Sequence, residues 1–408
     1  MYGNHSFKVK KDGAVAKEST STTRGLKQGC PLSPILFNIV LEHVLLQIDF
    51  GNGIKFLKRE RTPTLDKQKQ KKGKGRGRPE SRNLTHLLFA DDIVVCAESH
   101  EGLQRLLQHI ADIFVNYGLT VNKKKTKWQK DDNTRMSTSD QSLTKNERKR
   151  KTKTLRRKRM LRRKKILPEK EEEEDKQKAE EREKEKITID GVVIERVEKF
   201  IYLGSCFNEN DDDADDIDRR LQQGNAALAR INKLLWSNNI PRKLKKKMVM
   251  VFVYPSATYG CETWTLSTEA KTHLNAWWMR LMRRIRGVTK EDKLRSASIL
   301  KELNASRLSD MIEERQLRYA GHVWRYDDNR WTKFMLQAER PSQKNGKQQQ
   351  YRKHLTKLLK EKNLETSMMM NSETWANKLR ELYPTCPFIG KTTCSFSKTT
   401  CPFIGKND

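Results

Sequence analysis

Apolar positions recur along this chain at two spacings, and each spacing predicts a different element. Leu103, Leu106, Leu107, Ile110 and Phe114 repeat at helical spacing and predict an amphipathic helix whose apolar stripe packs on a sheet. Ile217, Leu221, Leu228, Ile231 and Leu235 do the same, and Ile240-Pro241 opens another helix carrying Lys243, Lys245, Lys246 and Lys247. Further on, Leu274, Trp277, Trp278, Leu281 and Ile285 mark one helical face, with Gly287 as its C-cap. An apolar run from Ile35 to Leu46 follows Ser33-Pro34, read as an N-cap and first helical residue. Shorter runs predict strands: Leu84 to Phe89, Ile93 to Cys96, Ile187 to Ile189, Val192 to Ile194 and Phe200 to Leu203. Asp190-Gly191 between two of these is a hairpin signal.

Charge changes the picture next. The chain holds 84 Lys+Arg against 52 Asp+Glu, a formal net charge of +32, which favours a polyanionic partner and salt-sensitive association. No run of eighteen or more apolar residues and no apolar leader is present, so neither a membrane span nor secretion is expected. Of the seven cysteines, Cys30, Cys96, Cys206 and Cys261 fall singly in apolar or motif contexts and read as reduced thiols of an intracellular protein. Two stretches break the apolar rhythm. Lys58 to Pro79 is rich in Lys, Arg, Gly and Gln, and Gln129 to Lys186 is a longer charged insert; both read as disordered. Within the second, residues 145–167 hold fourteen Lys or Arg against one acid. Arg148 to Lys165 is accordingly a candidate nuclear localisation signal or nucleic-acid clamp, against the plainer reading of a solubilising tract. Near the end, Cys386 to Lys391 recurs at Cys401 to Lys406, too short a unit to build a core.

The candidate chemistry sits at Phe89-Ala90-Asp91-Asp92, where two adjacent carboxylates fall between apolar strands. Such a pair is often a plain turn, but paired hard oxygen ligands also suit Mg²⁺. Three other blocks accompany it in order: Gly25-Leu26-Lys27-Gln28-Gly29-Cys30-Pro31-Leu32-Ser33-Pro34 upstream, then Gly118 to Lys127, then Phe200-Ile201-Tyr202-Leu203-Gly204-Ser205. Together they resemble motifs B, C, D and E of the palm of reverse transcriptases, closest to those of non-LTR retrotransposons that carry an endonuclease in the same polyprotein. The resemblance covers roughly residues 7–128 and 187–335, and Arg318 to Arg325 resembles a block found after the thumb in the same enzymes.

That resemblance implies an α+β fold: a partial polymerase palm of antiparallel sheet and helices, a helical thumb and a helical C-terminal extension, interrupted by disordered charged inserts. The implied units are palm over 1–128 (with basic insert 58–83), charged insert over 129–186, end of palm and thumb over 187–260, basic helical extension over 261–340, and a mostly disordered tail over 341–408. The implied reaction is template-directed addition of dNTPs to a DNA primer on an RNA template. Asp91 and Asp92 would hold Mg²⁺ or Mn²⁺, Lys125 would lie near the leaving pyrophosphate, and Gln28, Gly29 and Phe89 would line the nucleotide pocket. Lys243, Lys246, Arg280, Arg283 and Arg284 are candidate nucleic-acid contacts, while the interleaved tryptophans read as core with base stacking as the alternative. His322 stands alone and is assigned no metal.

In this family the metal site takes a further aspartate from motif A, on a strand preceding motif B. About two dozen residues precede Gly25, and Asp12 lies in the turn-like Lys11-Asp12-Gly13-Ala14. The chain is therefore read as starting after that strand, with catalysis expected to be lost. Alternatives from other classes are a non-catalytic basic nucleic-acid binder and a translated pseudogene product that scarcely folds.

Overall fold

The computed structural model describes residues 5–8, 10–11, 14–15, 20–22, 25–26, 29–58, 80–130, 186–209, 212–338 and 347–384. Among them the strands form small sheets and the helices carry most of the core. Two short hairpins open the chain: β1 (His5–Phe7) pairs with β4 (Thr20–Thr22), and β2 (Lys10–Lys11) with β3 (Ala14–Val15). Helix α1 (Ser33–Leu45) follows. It begins one residue earlier than its capping pattern predicted: Leu32 is the N-cap and already helical at φ −82°, ψ −23°, so Ser33 is the first helical residue. The Ser33 amide instead closes a turn onto the Cys30 carbonyl at 3.1 Å.

Strand β5 (Ile54–Lys58) pairs antiparallel with β6 (Glu80–Leu84), and β7 (His86–Phe89) with β8 (Asp92–Val95). The predicted single strand ending at Phe89 thus begins at Glu80 and changes partner at Thr85, whose carbonyl accepts from the Cys96 amide at 2.8 Å. Helix α2 (His100–Asn116), capped by the Ser99 hydroxyl accepting from Gly102 N–H, buries both flanks of its stripe. Leu106, Ile110 and Phe114 join Leu41, Val44 and Leu45 of α1 and the inner face of the β7–β8 hairpin, Leu88, Ile93 and Val95. Ala111, with Leu103 and Leu107, packs on a second sheet. That sheet runs β10 (Ile187–Ile189), β11 (Val192–Arg196), β9 (Lys127–Trp128), and the β9–β11 pairing is parallel. The strands before and after the 129–186 insert, β9 and β10, thus lie in one sheet with β11 between them, and nearly all of the insert lies outside the described residues. Asp190 (φ +46°) and Gly191 (φ +73°) make the predicted hairpin turn.

Strands β12 (Lys199–Tyr202) and β13 (Ser205–Asn208) form the last hairpin, turning at Leu203-Gly204. Helix α3 (Ala214–Trp236) buries Ile217, Leu221, Leu228, Ile231 and Leu235 as their spacing predicted. Helix α4 (Arg242–Met248) runs into a wide π-type turn, Val249–Val253, just before Tyr254-Pro255. The proline explains the widening, since Pro255 lacks an N–H and its ring crowds the carbonyl four residues back. Then come α5 (Thr268–Arg286), ending at left-handed Gly287, α6 (Ser296–Glu302), α7 (Leu308–Trp324) and α8 (Trp331–Gln337).

The helical unit does not stop at residue 340. Helices α9 (Lys347–Glu361) and α10 (Ser372–Leu382) complete the large core, adding Leu355, Leu358, Trp375 and Leu379 to the α3, α5 and α7 side chains. The expected disordered tail is corrected accordingly, and 385–408, with its short repeats, lies outside the described residues. The sparse apolar positions of α9 and α10 are hidden among Lys and Gln, which is why composition misreads these helices. The helical unit also touches the β5–β6 pair: Phe56 buries against Phe334 and Ala338, and the Arg82 guanidinium lies 4.6 Å from the Phe334 ring while donating to the Asn329 carbonyl at 2.7 Å.

Candidate active site

The β7–β8 hairpin positions the carboxylates by a simple division of labour. Its inner face is anchored on α1 and α2, and its outer face carries Leu87, Phe89 and Asp92, all exposed. Phe89 stands directly opposite Asp92 in register, leaving Ala90-Asp91 as the turn. Ala90 sits at φ +53°, a left-handed conformation that costs an L-residue about 1–2 kcal/mol. Asp190 and Leu203 adopt the same left-handed conformation, at φ +46° and +47°, in the turns of the β10–β11 and β12–β13 hairpins, each followed by a glycine. The conformation is thus shared by these hairpin turns and does not by itself mark a functional position.

Asp91 and Asp92 are exposed, and among the described residues neither carboxylate makes a hydrogen bond or an ion pair. Anionic oxygens left free in this way are hard donors suited to Mg²⁺ or Mn²⁺. Among the described residues no third His, Cys, Asp or Glu completes a metal cluster with them. The pair therefore fits as part of a metal site. One residue that sequence reasoning passed over as a mere strand position also belongs here: burial, and secondarily the Asp92 carboxylate, push the Tyr202 hydroxyl pKa upward. The β12–β13 hairpin thus comes close enough to Asp92 for the two to interact.

That second hairpin is held by α3 and by Trp264 and Tyr259. Asp216, buried on the first turn of α3, accepts from the Cys206 amide and from the Trp264 indole N–H, both at 2.9 Å. Arg219 donates to the Gly204 carbonyl at 2.6 Å, Arg220 donates to the same oxygen, and the Tyr259 hydroxyl donates to the Leu203 carbonyl at 3.1 Å. Arg220 lies over the Tyr259 ring at 4.3 Å. The turn and α3 consequently move as one piece.

The lysine block is sorted by its neighbours. Lys123 pairs with Asp190 at 2.8 Å, which, with the Gln108 amide, holds that carboxyl below its usual range, and Lys127 pairs with Glu195. Lys125 lies in a turn where its own amide donates to the Asn122 carbonyl and side chain; its ammonium is exposed and unpaired among the described residues. Gly29, at φ +84° and with open space where a side chain would project, is a left-handed position ahead of α1. Gln28 lies outside the described residues.

The basic candidates divide in the same manner. Lys243 and Arg280 are exposed and unpaired among the described residues. Lys246 instead donates to the Leu303 and Asn304 carbonyls, and Arg284 to the Asn232 side chain at 3.0 Å, while Arg283 reaches the Ser296 hydroxyl at 3.4 Å. Trp277 and Trp278 are each 1% exposed, with indole N–H groups bonded to Asn225 and to the Ser306 carbonyl, so they are core and not stacking platforms. His322 stacks edge-on to Tyr326, and burial lowers its pKa, with help from Arg325 and Arg330. No helix among the described residues is long and apolar enough to cross a membrane.

Residues 4–194 match the family model described as reverse transcriptase (RNA-dependent DNA polymerase). A transposon-derived protein of Caenorhabditis elegans is 26% identical over 265 residues, covering 63% of this chain and 77% of that protein. The retrovirus-related Pol polyproteins of the R2 retrotransposable elements of Nasonia vitripennis and Drosophila melanogaster are 33% and 32% identical over 102 and 111 residues. Those alignments cover 25% and 27% of this chain but 8% of each polyprotein. No solved structure matches. Residues 4–194, which hold the glycine-led α1, the carboxylate hairpin and the lysine turn, are thus a reverse-transcriptase domain, and the relatives it resembles are proteins of non-LTR retrotransposons.

Proposed function

We propose that Asp91 and Asp92 are the metal-holding carboxylates of template-directed DNA synthesis, with RNA as template, DNA as primer and dNTP as substrate. The observation that carries this reading is their placement: two adjacent acids, exposed and without hydrogen-bond or ion-pair partners among the described residues, at the tip of a hairpin whose other face is anchored in the core. A bound Mg²⁺ or Mn²⁺ would stabilise charge on the attacking and leaving oxygens. The chain's own groups serve around it. Phe89 presents an apolar wall beside Asp92, Gly29 leaves open space for a nucleotide approaching α1, Gln28 precedes it in sequence as a further candidate contact, and the free ammonium of Lys125 is suited to charge building on pyrophosphate. Tyr202, on a hairpin tied to α3, borders the same carboxylates on the primer side.

The polypeptide of these 408 residues is proposed to bind template and primer without extending it. Catalysis by two ions requires more ligands than one Asp-Asp pair supplies, and among the described residues no further metal-ligating side chain joins that pair. Purified protein given a primed RNA template, dNTPs and Mg²⁺ or Mn²⁺ is expected to leave the primer unextended. Extension that disappears in Asp91→Ala would contradict the inactivity and confirm the carboxylate assignment in one experiment.

A further inference from the structure

A single helical turn between α4 and α5, Cys261–Thr263, carries bonds from two directions. From one side it is held by the C-terminal helices. Gln316 of α7 is fully buried, and its amide nitrogen donates to the Cys261 carbonyl at 2.9 Å and to the Trp264 carbonyl at 2.8 Å. Both donors of that amide are thereby used, and its oxygen faces His354 Nε2 of α9 at 2.9 Å. The Tyr351 hydroxyl, also on α9, donates to the Glu262 carbonyl at 2.8 Å, and Arg315 of α7 donates to the Glu262 carboxylate at 3.0 Å. From the other side the same segment holds the β12–β13 hairpin. Tyr259 bonds the Leu203 carbonyl, and the Trp264 indole bonds Asp216, which also accepts the Cys206 amide. The Thr265 amide donates to Asp213 of the same helix start at 2.6 Å. The fit is close. A side chain at Gly260 would come within 3.2 Å of the Ser205 hydroxyl, and one at Gly204 within 3.3 Å of the Tyr259 ring. Cys261, Trp264, Asp216 and Gln316 are all buried, so a bond lost among them is not replaced by bulk water.

We propose that residues 259–265 are a relay through which the C-terminal helices set the β12–β13 hairpin beside the carboxylates, and that Gln316 and Tyr351 are positioning residues for Tyr202. The consequence for the site rests on the reading of Asp91 and Asp92 as metal ligands, whereas the link between helices and hairpin rests on the bonds alone. Buried hydrogen bonds in series hold direction as well as distance, and each member fixes the next. Among the described residues neither Gln316 nor Tyr351 makes a hydrogen bond to the hairpin, so an effect of either on Tyr202 travels through the relay.

The test follows backbone amide exchange of residues 199–208 in the full chain by mass spectrometry. Tyr351→Phe removes one hydroxyl and keeps the ring, while Gln316→Leu removes both amide donors. Each is expected to speed exchange in the hairpin roughly ten-fold, because a buried carbonyl left unpaired loosens the turn that holds it. Tyr351→Phe carries the test alone if Gln316→Leu does not fold. Two comparisons are expected to stay within about two-fold of wild type: Ile299→Ala, which opens a cavity in the same helical core on α6, and His354→Gln, whose amide can supply the same donor to Gln316. A second readout reports on the site. In chain labelled with 3-fluorotyrosine, the Tyr202 hydroxyl is followed by the fluorine resonance that Tyr202→Phe removes. Its titration midpoint, raised by burial and by Asp92, is expected to fall in Tyr351→Phe and to hold in Ile299→Ala. Hairpin exchange unchanged in both relay variants, with Asp216→Ala fast, overturns the relay and leaves the metal reading standing. Equal acceleration by Ile299→Ala overturns it too. Fast hairpin exchange in Tyr351→Phe of a chain that binds no Mn²⁺ supports the relay and overturns the metal reading alone.

Discussion

The carboxylate hairpin and helix α5 carry the two most chemically suggestive stretches of the chain, and the fold treats them in opposite ways. In the hairpin, the side chains that chemistry requires are left over after folding: Asp91 and Asp92 are exposed and unpaired among the described residues, and Phe89 faces solvent beside them. In α5, the equally suggestive tryptophans, with Arg284 and Arg286, are taken up by the fold, and Arg280 alone of the candidate arginines there stays exposed and unpaired among the described residues. Trp277 and Trp278 fill the core, Arg284 is tied to Asn232 and Arg286 to Glu302. The difference teaches that residue type at a plausible spacing says little until its partners are known. A polar group with every bond made inside the fold is structural, and one held rigidly with nothing to bind is available for a ligand.

Substitutions that separate structural from available groups sharpen the contrast. The largest effect belongs to Trp278→Ala, which empties a fully buried ring site and removes the indole bond to the Ser306 carbonyl; a loss of about 3–5 kcal/mol is expected in denaturant unfolding. A change below about 1 kcal/mol would show that the α5 core is looser than its burial implies. Next is Asp216→Ala. It leaves the Cys206 amide and the Trp264 indole N–H without their acceptor in a buried place, at an expected cost of about 2–4 kcal/mol, and it frees the β12–β13 hairpin from α3. Faster amide exchange confined to residues 199–208 is the accompanying signature, and uniform exchange behaviour would argue against the clamp.

A smaller effect appears with pH. The Gln316 amide nitrogen donates to the Cys261 and Trp264 carbonyls, so its oxygen is the acceptor and His354 Nε2 must carry the hydrogen of their 2.9 Å bond. Burial, then Lys271, lowers the His354 pKa. The folded state thus resists a proton that the unfolded chain takes up near the ordinary histidine value of about 6.5. Below that value the unfolded state binds more protons, and stability falls as pH drops toward the depressed folded pKa. His86 and His322, also lowered by burial, add in the same direction. Thermal unfolding followed from neutral to mildly acid pH is expected to show this decline, with a shallower one in His354→Gln; identical slopes would remove His354 from the account.

Much of this arrangement is legible in the sequence. The spacing of Leu106, Ile110 and Phe114 identifies α2, that of Ile217 through Leu235 identifies α3, and Asp190-Gly191 identifies its hairpin, because periodicity and turn chemistry are local. Helices α9 and α10 escape such a reading, since their few apolar anchors, such as Leu355 and Trp375, find a core only against α7. The roles of Lys246 and Arg284 are hidden for a related reason. Their acceptors, the Leu303 and Asn304 carbonyls and the Asn232 side chain, lie more than fifty positions away in sequence, as do Asp92 and Tyr202 from each other. Site chemistry assembled by tertiary structure leaves no local signal.

The smallest expected change in stability and the largest in chemistry fall on the same residue. Asp91→Asn touches no bond among the described residues, so its unfolding free energy should stay within about 0.5 kcal/mol of wild type. Its role in chemistry is tested most directly by titrating the full chain with Mn²⁺ and following the bound ion by electron paramagnetic resonance. The account predicts Mn²⁺ binding that weakens about ten-fold or more on Asp91→Asn, since a neutral amide keeps the shape and removes the charge that holds the ion. A folded chain that binds no Mn²⁺, or whose binding survives Asp91→Asn, would contradict it.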